Sequence, residues 1–250
     1  MLRAYLDGDV LAERVGDGPV GLIGLHGWGR AGADLATVLD GWSAIAPDLP
    51  GFGATPPPPE AWGAADYAGL VARLIETTDE VEAPVVLLGH SFGGRVAVCL
   101  AAERPDLVRA LVLTGVPLLR REGAGRSPFG FRLVKRLHAL HLVGDARMER
   151  ARQQYGSADY NAATGVMRET FVRVVNESYG DQLDAVRCPV ALVWGEGDTA
   201  APLWIAQEAD RRLHDASLTV VAGGTHDSPL RAPAAELRDA LAALVGQQLP

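Results

Sequence analysis

The sequence predicts an α/β domain built on a parallel β-sheet with helices on both faces, and three observations carry that prediction. Short apolar runs alternate along the chain with segments of helical periodicity, the pattern of repeated strand–helix–strand units. Several runs, among them VGLIGL (20–25) and VVLL (85–88), are apolar at nearly every position. Such runs suit strands covered on both faces. At 250 residues, with 48% hydrophobic and 22% charged residues, the chain can bury a substantial core and has the composition of an ordinary globular protein.

Two extended segments open the chain, around Leu2–Leu6 and Val10–Val15, separated by the turn residues Asp7-Gly8-Asp9. VGLIGLHGWG (20–29) is a buried strand running into glycines, and SAIAPDLPGFG (43–53) repeats the plan. TPPPPE (55–60) suits neither helix interior nor central strand and reads as an exposed loop of polyproline character. From about Asp66 to Asp79, Leu70, Val71, Leu74 and Ile75 recur at helical spacing. VVLLGH (85–90) is the next strand, FGGRVAVCLAAER (92–104) a helix ended by Pro105, and VRALVLTG (108–115) a strand again. Later come strand PVALVWGEGD (189–198), a helix over about 202–213, strand SLTVVAGG (217–224) and a final helix, AAELRDALAALVGQQL (234–249). Parallel sheets bind ligands at the carboxyl ends of their strands. Each glycine-rich or polar cluster falls at such an end, so a single site is expected there.

Residues 118–187 break the rhythm. They hold no convincing strand, but helix-like pieces at 131–140, 145–155 and 165–179. The segment carries 12 basic and 8 acidic residues, net +4, whereas the remainder is net −12. A helical insertion lying over the strand ends would act as a lid; the same helices packed elsewhere on the domain would not.

The net charge of −8 argues against a nucleic-acid partner, which calls for a basic face. Cys99 and Cys188 lie far apart in apolar contexts and suggest neither a zinc site nor a disulfide framework. The opening MLRAYLDGDV lacks the features of a signal peptide, and no apolar stretch reaches membrane-spanning length, so a cytoplasmic protein without membrane association is the expectation.

Gly89-His90-Ser91-Phe92-Gly93 reads G-x-S-x-G between a strand and a helix, the setting of a nucleophile held on a strained turn. A serine hydroxyl needs a base within hydrogen-bond reach. His26 and His90 sit inside glycine motifs, where ring packing and backbone bonding account for them. His138 and His141 belong to the insertion, and His214 lies near a helix end. His226, in the loop AGGTHDSP after the last strand, has no evident structural need for an imidazole and is the candidate base. Asp198, in WGEGDTAAP, is the candidate acid to orient it, with Glu196 and Asp227 as rivals. Backbone N–H groups of Phe92, at a helix start, and Trp28, in HGWG, are candidate donors to a developing oxyanion.

These segments together resemble the α/β-hydrolase fold family nearly end to end. HGWG, APDLPGFG (46–53), GHSFGG (89–94), WGEGDTAAP and GGTHD occur in that family's usual order, with Ser91 before Asp198 before His226. The resemblance implies a mostly parallel eight-stranded sheet, a core formed by 1–117 and 188–250, and a helical cap at 118–187 between strands six and seven. Serine rather than aspartate at position 91 points away from the dehalogenase-like and epoxide-hydrolase-like branches. THDSPLRAP departs from a common pattern in placing Arg231 near a position that is acidic in many relatives.

The expected chemistry is serine hydrolysis of an ester-like bond (carboxylic ester, lactone or thioester) without metal or organic cofactor. Carbon–carbon bond hydrolysis, acyl transfer and noncatalytic ligand binding are the alternatives. Trp28 and Phe92, with Phe129, Phe131, Leu133 and Met167 of the insertion, suggest a pocket for a small molecule with an apolar acyl or alcohol part. Oligomeric state is not legible.

Overall fold

The computed structural model describes residues 1–120, 136–140, 142–144, 146–150 and 157–246. Eight strands form one sheet: β1 (Leu2–Tyr5), β2 (Val10–Val15), β3 (Val20–Leu25), β4 (Ala44–Pro47), β5 (Val81–His90), β6 (Val108–Thr114), β7 (Val190–Gly195) and β8 (Ala216–Val221). Their spatial order is β1-β2-β4-β3-β5-β6-β7-β8. The β1–β2 and β2–β4 pairs are antiparallel and every other pair is parallel. The chain moves from β3 to β4 on one side, then crosses to β5 on the other. That reversal opens a crevice beyond the carboxyl ends of β3 and β5, where open sheets of this kind bind ligands.

The continuous apolar runs serve both faces by alternation. Ile23, Leu25, Leu87, Leu111, Leu113 and Trp194 face one buried cluster, and Leu22, Val86, Leu88, Val112 and Val193 face the other. The first cluster is closed by α2 (Ala64–Thr77) and α3 (Phe92–Glu103). The second is closed by the short α1 (Ala36–Leu39) together with Leu237 and Leu241 of the final helix.

Between β6 and β7 the chain forms α4 (Ala158–Ala162), α5 (Gly165–Asn176) and α6 (Gly180–Ala185). Further short helical turns lie at 136–139 and 146–150, and no strand occurs among the described residues of this insertion. Polar bonds tie α5 to the core: the Trp62 amide donates to Thr170 Oγ1 at 3.2 Å, and the Ala64 amide to Glu177 Oε2 at 3.1 Å. α7 (Trp204–Arg212) and α8 (Ala235–Val245) complete the domain.

Element limits differ from the sequence expectation where a terminal group decides. α2 begins two residues before Asp66, because that carboxylate reaches back to accept the Gly63 amide at 2.8 Å. α8 stops at Val245 because Gly246 takes a left-handed conformation, φ 75°, that ends the helix. β5 starts at Val81 and passes through Pro84, and its pairing with β3 shifts register between the Val20–Val81 and Leu22–Val86 pairs. A ladder irregularity is where a strand tolerates proline.

The crevice depends on α3 lying hard against the end of β3. A Cβ on Gly93 would fall inside the van der Waals envelope of Leu25 O. Gly93→Ala is expected to cost roughly 2–3 kcal/mol by overpacking, lowering Tm by about 5–10 °C. Gly69, inside α2, has nothing within 4 Å of its Cβ position. Gly69→Ala is expected to gain about 0.5–1 kcal/mol. Thermal denaturation of both variants checks the pair; equal shifts would contradict the packing argument.

Candidate active site

β5 ends at His90 and α3 begins at Phe92, leaving Ser91 alone to make the turn, with φ 50° and ψ −111°. A non-glycine residue in this region is strained by about 1–3 kcal/mol. Two backbone bonds hold it there: the Ser91 amide donates to Thr114 O at 3.0 Å, and the Gly93 amide to His26 O at 2.9 Å. Because the turn is tight, Ser91 is raised into a cavity of about 620 Å³. Trp28, Phe92 and His226 also line this cavity. Its size lies in the usual range for small-molecule sites.

His226 comes from the loop after β8 and Asp198 from the loop after β7. His226 Nδ1 stands 2.8 Å from Asp198 Oδ2. The other carboxylate oxygen, Oδ1, accepts the Ala200 and Ala201 amides at 2.9 and 2.8 Å. The Asp198 side chain is fully buried, whereas that of His226 is 25% exposed, so the acid is fixed and the ring reaches the cavity. Gly115, at the end of β6, leaves room for this pair: a Cβ there would lie 3.0 Å from the ring and 3.3 Å from Asp198 Oδ2. The rival acids are engaged elsewhere. Glu196 accepts the Gly223 amide at 3.0 Å, and Asp227 pairs with Arg30 at 2.7 Å.

Phe92 is the first residue of α3, so its N–H has no intrahelical acceptor. The Trp28 N–H likewise meets no protein acceptor among the described residues. The Trp28 ring is fixed by edge-on contacts with Phe52, Phe92 and Phe171, at 4.8, 5.4 and 5.0 Å between centroids. Phe171 belongs to α5, so the insertion itself helps set the position of the HGWG loop.

His26 plays the structural part expected of it. Its Nε2 accepts the Leu49 amide at 2.9 Å and its Nδ1–H donates to Gly27 O at 2.7 Å, which fixes one neutral tautomer. Burial pulls its pKa below the ordinary value. His90 differs from expectation. The ring packs 4.9 Å from that of His226, yet neither nitrogen meets the geometry of a hydrogen bond among the described residues, and Asp227 Oδ1 lies 3.8 Å from Nε2. Burial is the main cause that pulls its pKa down to about 3, with the charge on His226 adding to it.

The predicted insertion residues fare unevenly. Phe129, Phe131 and Leu133 lie outside the described residues. Met167 packs against the turn at Gly51 instead of lining the cavity. Phe171, one helical turn further along α5, lines it together with Val174 and Val175. The reason is axial placement: the bonds from Thr170 and Glu177 to the core set which turn of α5 sits over Ser91. The sequence reading also passed over Gly115, Arg30 and Arg95. For Arg95 a signal existed, since it stands on the first turn of the helix that follows Ser91, four residues on.

No group of three or more metal-ligating side chains occurs among the described residues. No helix among them is long and apolar enough to cross a membrane.

Residues 22–240 match the model of the alpha/beta hydrolase family. The chain is 32% identical over 231 residues to a pimeloyl-[acyl-carrier protein] methyl ester esterase of Aromatoleum aromaticum, covering 79% of this chain and 87% of that protein. It is 33% identical over 181 residues to Lipase LipV of Mycobacterium tuberculosis, covering 69% and 66%. Among solved structures, an esterase from Exiguobacterium antarcticum superposes with a TM-score of 0.73 at 19% identity, over 98% of this chain and 99% of that one.

The His90 environment sets a pH dependence. An unfolded chain protonates this ring below about 6.5, whereas the folded one resists until about 3. Acid therefore favours the unfolded state across that window, and the ring's titration has no effect on stability above it. Between neutral pH and about pH 4, Tm of the native protein is expected to fall more steeply than that of His90→Asn. Parallel Tm profiles would show that the ring is not held neutral.

Proposed function

This chain belongs to the alpha/beta hydrolase family, and we propose that it hydrolyses ester-like bonds of small molecules through an acyl-enzyme on Ser91. The observation that carries the reading is the meeting of separate loops at one cavity wall: Ser91 on the turn after β5, His226 held by Asp198, and the amides of Trp28 and Phe92. The names of the sequence relatives, an esterase and a lipase, point the same way.

The buried Asp198 carboxylate accepts a hydrogen bond from Nδ1–H, which leaves Nε2 with its lone pair as the base. Ser91 Oγ attacks the carbonyl carbon of the substrate while its proton passes to His226 Nε2. The carbonyl oxygen becomes an oxyanion that accepts from the Trp28 and Phe92 amides, each such donor typically worth about 10²–10³ in turnover. The start of α3 adds a favourable dipole. Collapse of the tetrahedral adduct breaks the bond to the leaving oxygen or sulfur, which takes the proton from His226. Water then attacks the acyl group, gives a proton to Nε2 and releases the acid, and Ser91 regains its proton.

A fluorophosphonate probe is expected to label the native protein and to leave Ser91→Ala unlabelled. Short-chain p-nitrophenyl esters, lactones and thioesters tested on both proteins identify the bond type. Asp198→Asn is expected to lower kcat by about 10³–10⁴ with little change in circular dichroism. Equal labelling of the native protein and Ser91→Ala would overturn the assignment.

A further inference from the structure

We propose that Arg95 forms a carboxylate subsite in the same cavity as Ser91, so that the favoured substrates are anionic, bearing a carboxylate a short chain away from the scissile ester. The inference deepens the reading of Ser91 as nucleophile and rests on it. Arg95 lies on the first turn of α3, four residues after Ser91, and its amide donates to Ser91 O at 3.4 Å, so the two residues stand one helical turn apart. Both residues line the cavity of about 620 Å³.

The guanidinium is poorly satisfied by the protein. Its Nη1 donates to Val174 O at 2.9 Å, but its Nε is buried without a hydrogen-bond partner among the described residues. The Tyr179 ring centroid lies 5.7 Å from Cζ. No carboxylate comes within ion-pair distance among the described residues. Tyr179, whose hydroxyl also hydrogen-bonds the guanidinium, and then Glu177 favour the charged form, yet the Glu177 oxygens are committed. Oε2 accepts from Ala64 and from the Tyr179 hydroxyl, and Oε1 stands 3.7 Å from Arg173 Nε.

Burial lowers the Arg95 pKa from its usual value. A guanidinium remains protonated in proteins all the same, so a cation with spare donors faces the site. Its fork matches a carboxylate, and the bond is stronger in a site from which water is excluded.

The other charged groups of the wall are accounted for. Arg30 is neutralised by Asp227 at 2.7 Å. Asp159 stands exposed on the first turn of α4, at the rim. Two basic residues on α5, within the described part of the insertion, spend their charge on the protein. Arg168 pairs with Glu149 at 3.0 Å and Arg173 with Asp66 at 3.1 Å. Among the described residues of the wall, the anion preference therefore resides in the core helix, one turn from the nucleophile.

The carboxylate can belong to the acyl part or to the alcohol part, and two substrate arms distinguish them. Methyl half-esters of succinate, glutarate and adipate carry it in the acyl part; the acetate esters of glycolate and 3-hydroxypropionate carry it in the alcohol part. Each is compared with a neutral ester of the same length. In at least one arm the native protein is expected to favour the anion by about tenfold or more in kcat/KM, chiefly through KM, as suits a charge-assisted bond. Arg95→Met is expected to bring that ratio close to one, and Arg95→Lys to keep part of it.

Glutarate and adipate are expected to bind the native protein in calorimetry and to lose that binding in Arg95→Met. Should an Arg95 variant fail to fold, the native protein's anion preference and dicarboxylate binding still decide. No preference in either arm, or one that persists in Arg95→Met, would overturn the proposal. Failure of the Ser91 reading looks different: no ester is turned over and the fluorophosphonate does not react. Calorimetry then tests the subsite alone, and absence of dicarboxylate binding would overturn it.

Discussion

The close approach of α3 to the end of β3 is the constraint from which the site follows. Gly93 lies against the Leu25 and His26 carbonyls, Gly94 against Val116, and Gly89 against Gly94, so no side chain fits at any of the three. The distance from the last residue of β5 to the first of α3 is bridged by one residue, which must take a positive φ. Three properties come with that geometry: a serine pushed into the crevice, a first helical amide, that of Phe92, without an intrahelical acceptor, and a fourth residue, Arg95, lining the same cavity. The strain at Ser91 is offset by the bonds to Thr114 and His26 and by the apolar burial around Phe92.

The electrostatics of the site are arranged around that turn by groups that do not touch each other in sequence. Asp198 is fully buried, and its carboxylate is satisfied by two amides and one imidazole. His90 fills the space behind His226 as a neutral ring, which keeps a second positive charge away from the proposed base. Asp227, adjacent to His226, is turned outward to Arg30 and does not compete with Asp198 for the ring. The aromatic contacts of Trp28 carry the position of the insertion into the HGWG loop, because Phe171 of α5 is one of its supports.

Much of this was legible because it depends on short-range pattern. Fully apolar runs give buried strands, and glycine at 89 and 93 around Ser91 gives the turn. Asp198 and His226 stand in polar loops at strand ends, where a parallel sheet gathers its ligands. What escaped depends on distances between elements that no local pattern encodes. The limits of α2 and α8 were set by a single carboxylate and a single left-handed glycine. Met167 and Phe171 occupy the same face of α5, so periodicity could not choose between them; contacts with Trp62 and Ala64, about a hundred residues away, did. His90 was legible as a packed ring but not as one whose nitrogens lack hydrogen-bond partners among the described residues, since the absence of a neighbour is a property of the fold around it.

The account stands or falls on a covalent bond at one side chain. Native protein mixed with p-nitrophenyl acetate, quenched in acid during a single turnover and digested with trypsin, is expected to carry one acetyl group on the peptide spanning residues 74–95, at Ser91. Turnover that proceeds with the acetyl group on another residue, or with no acyl-enzyme at any time point, would contradict it.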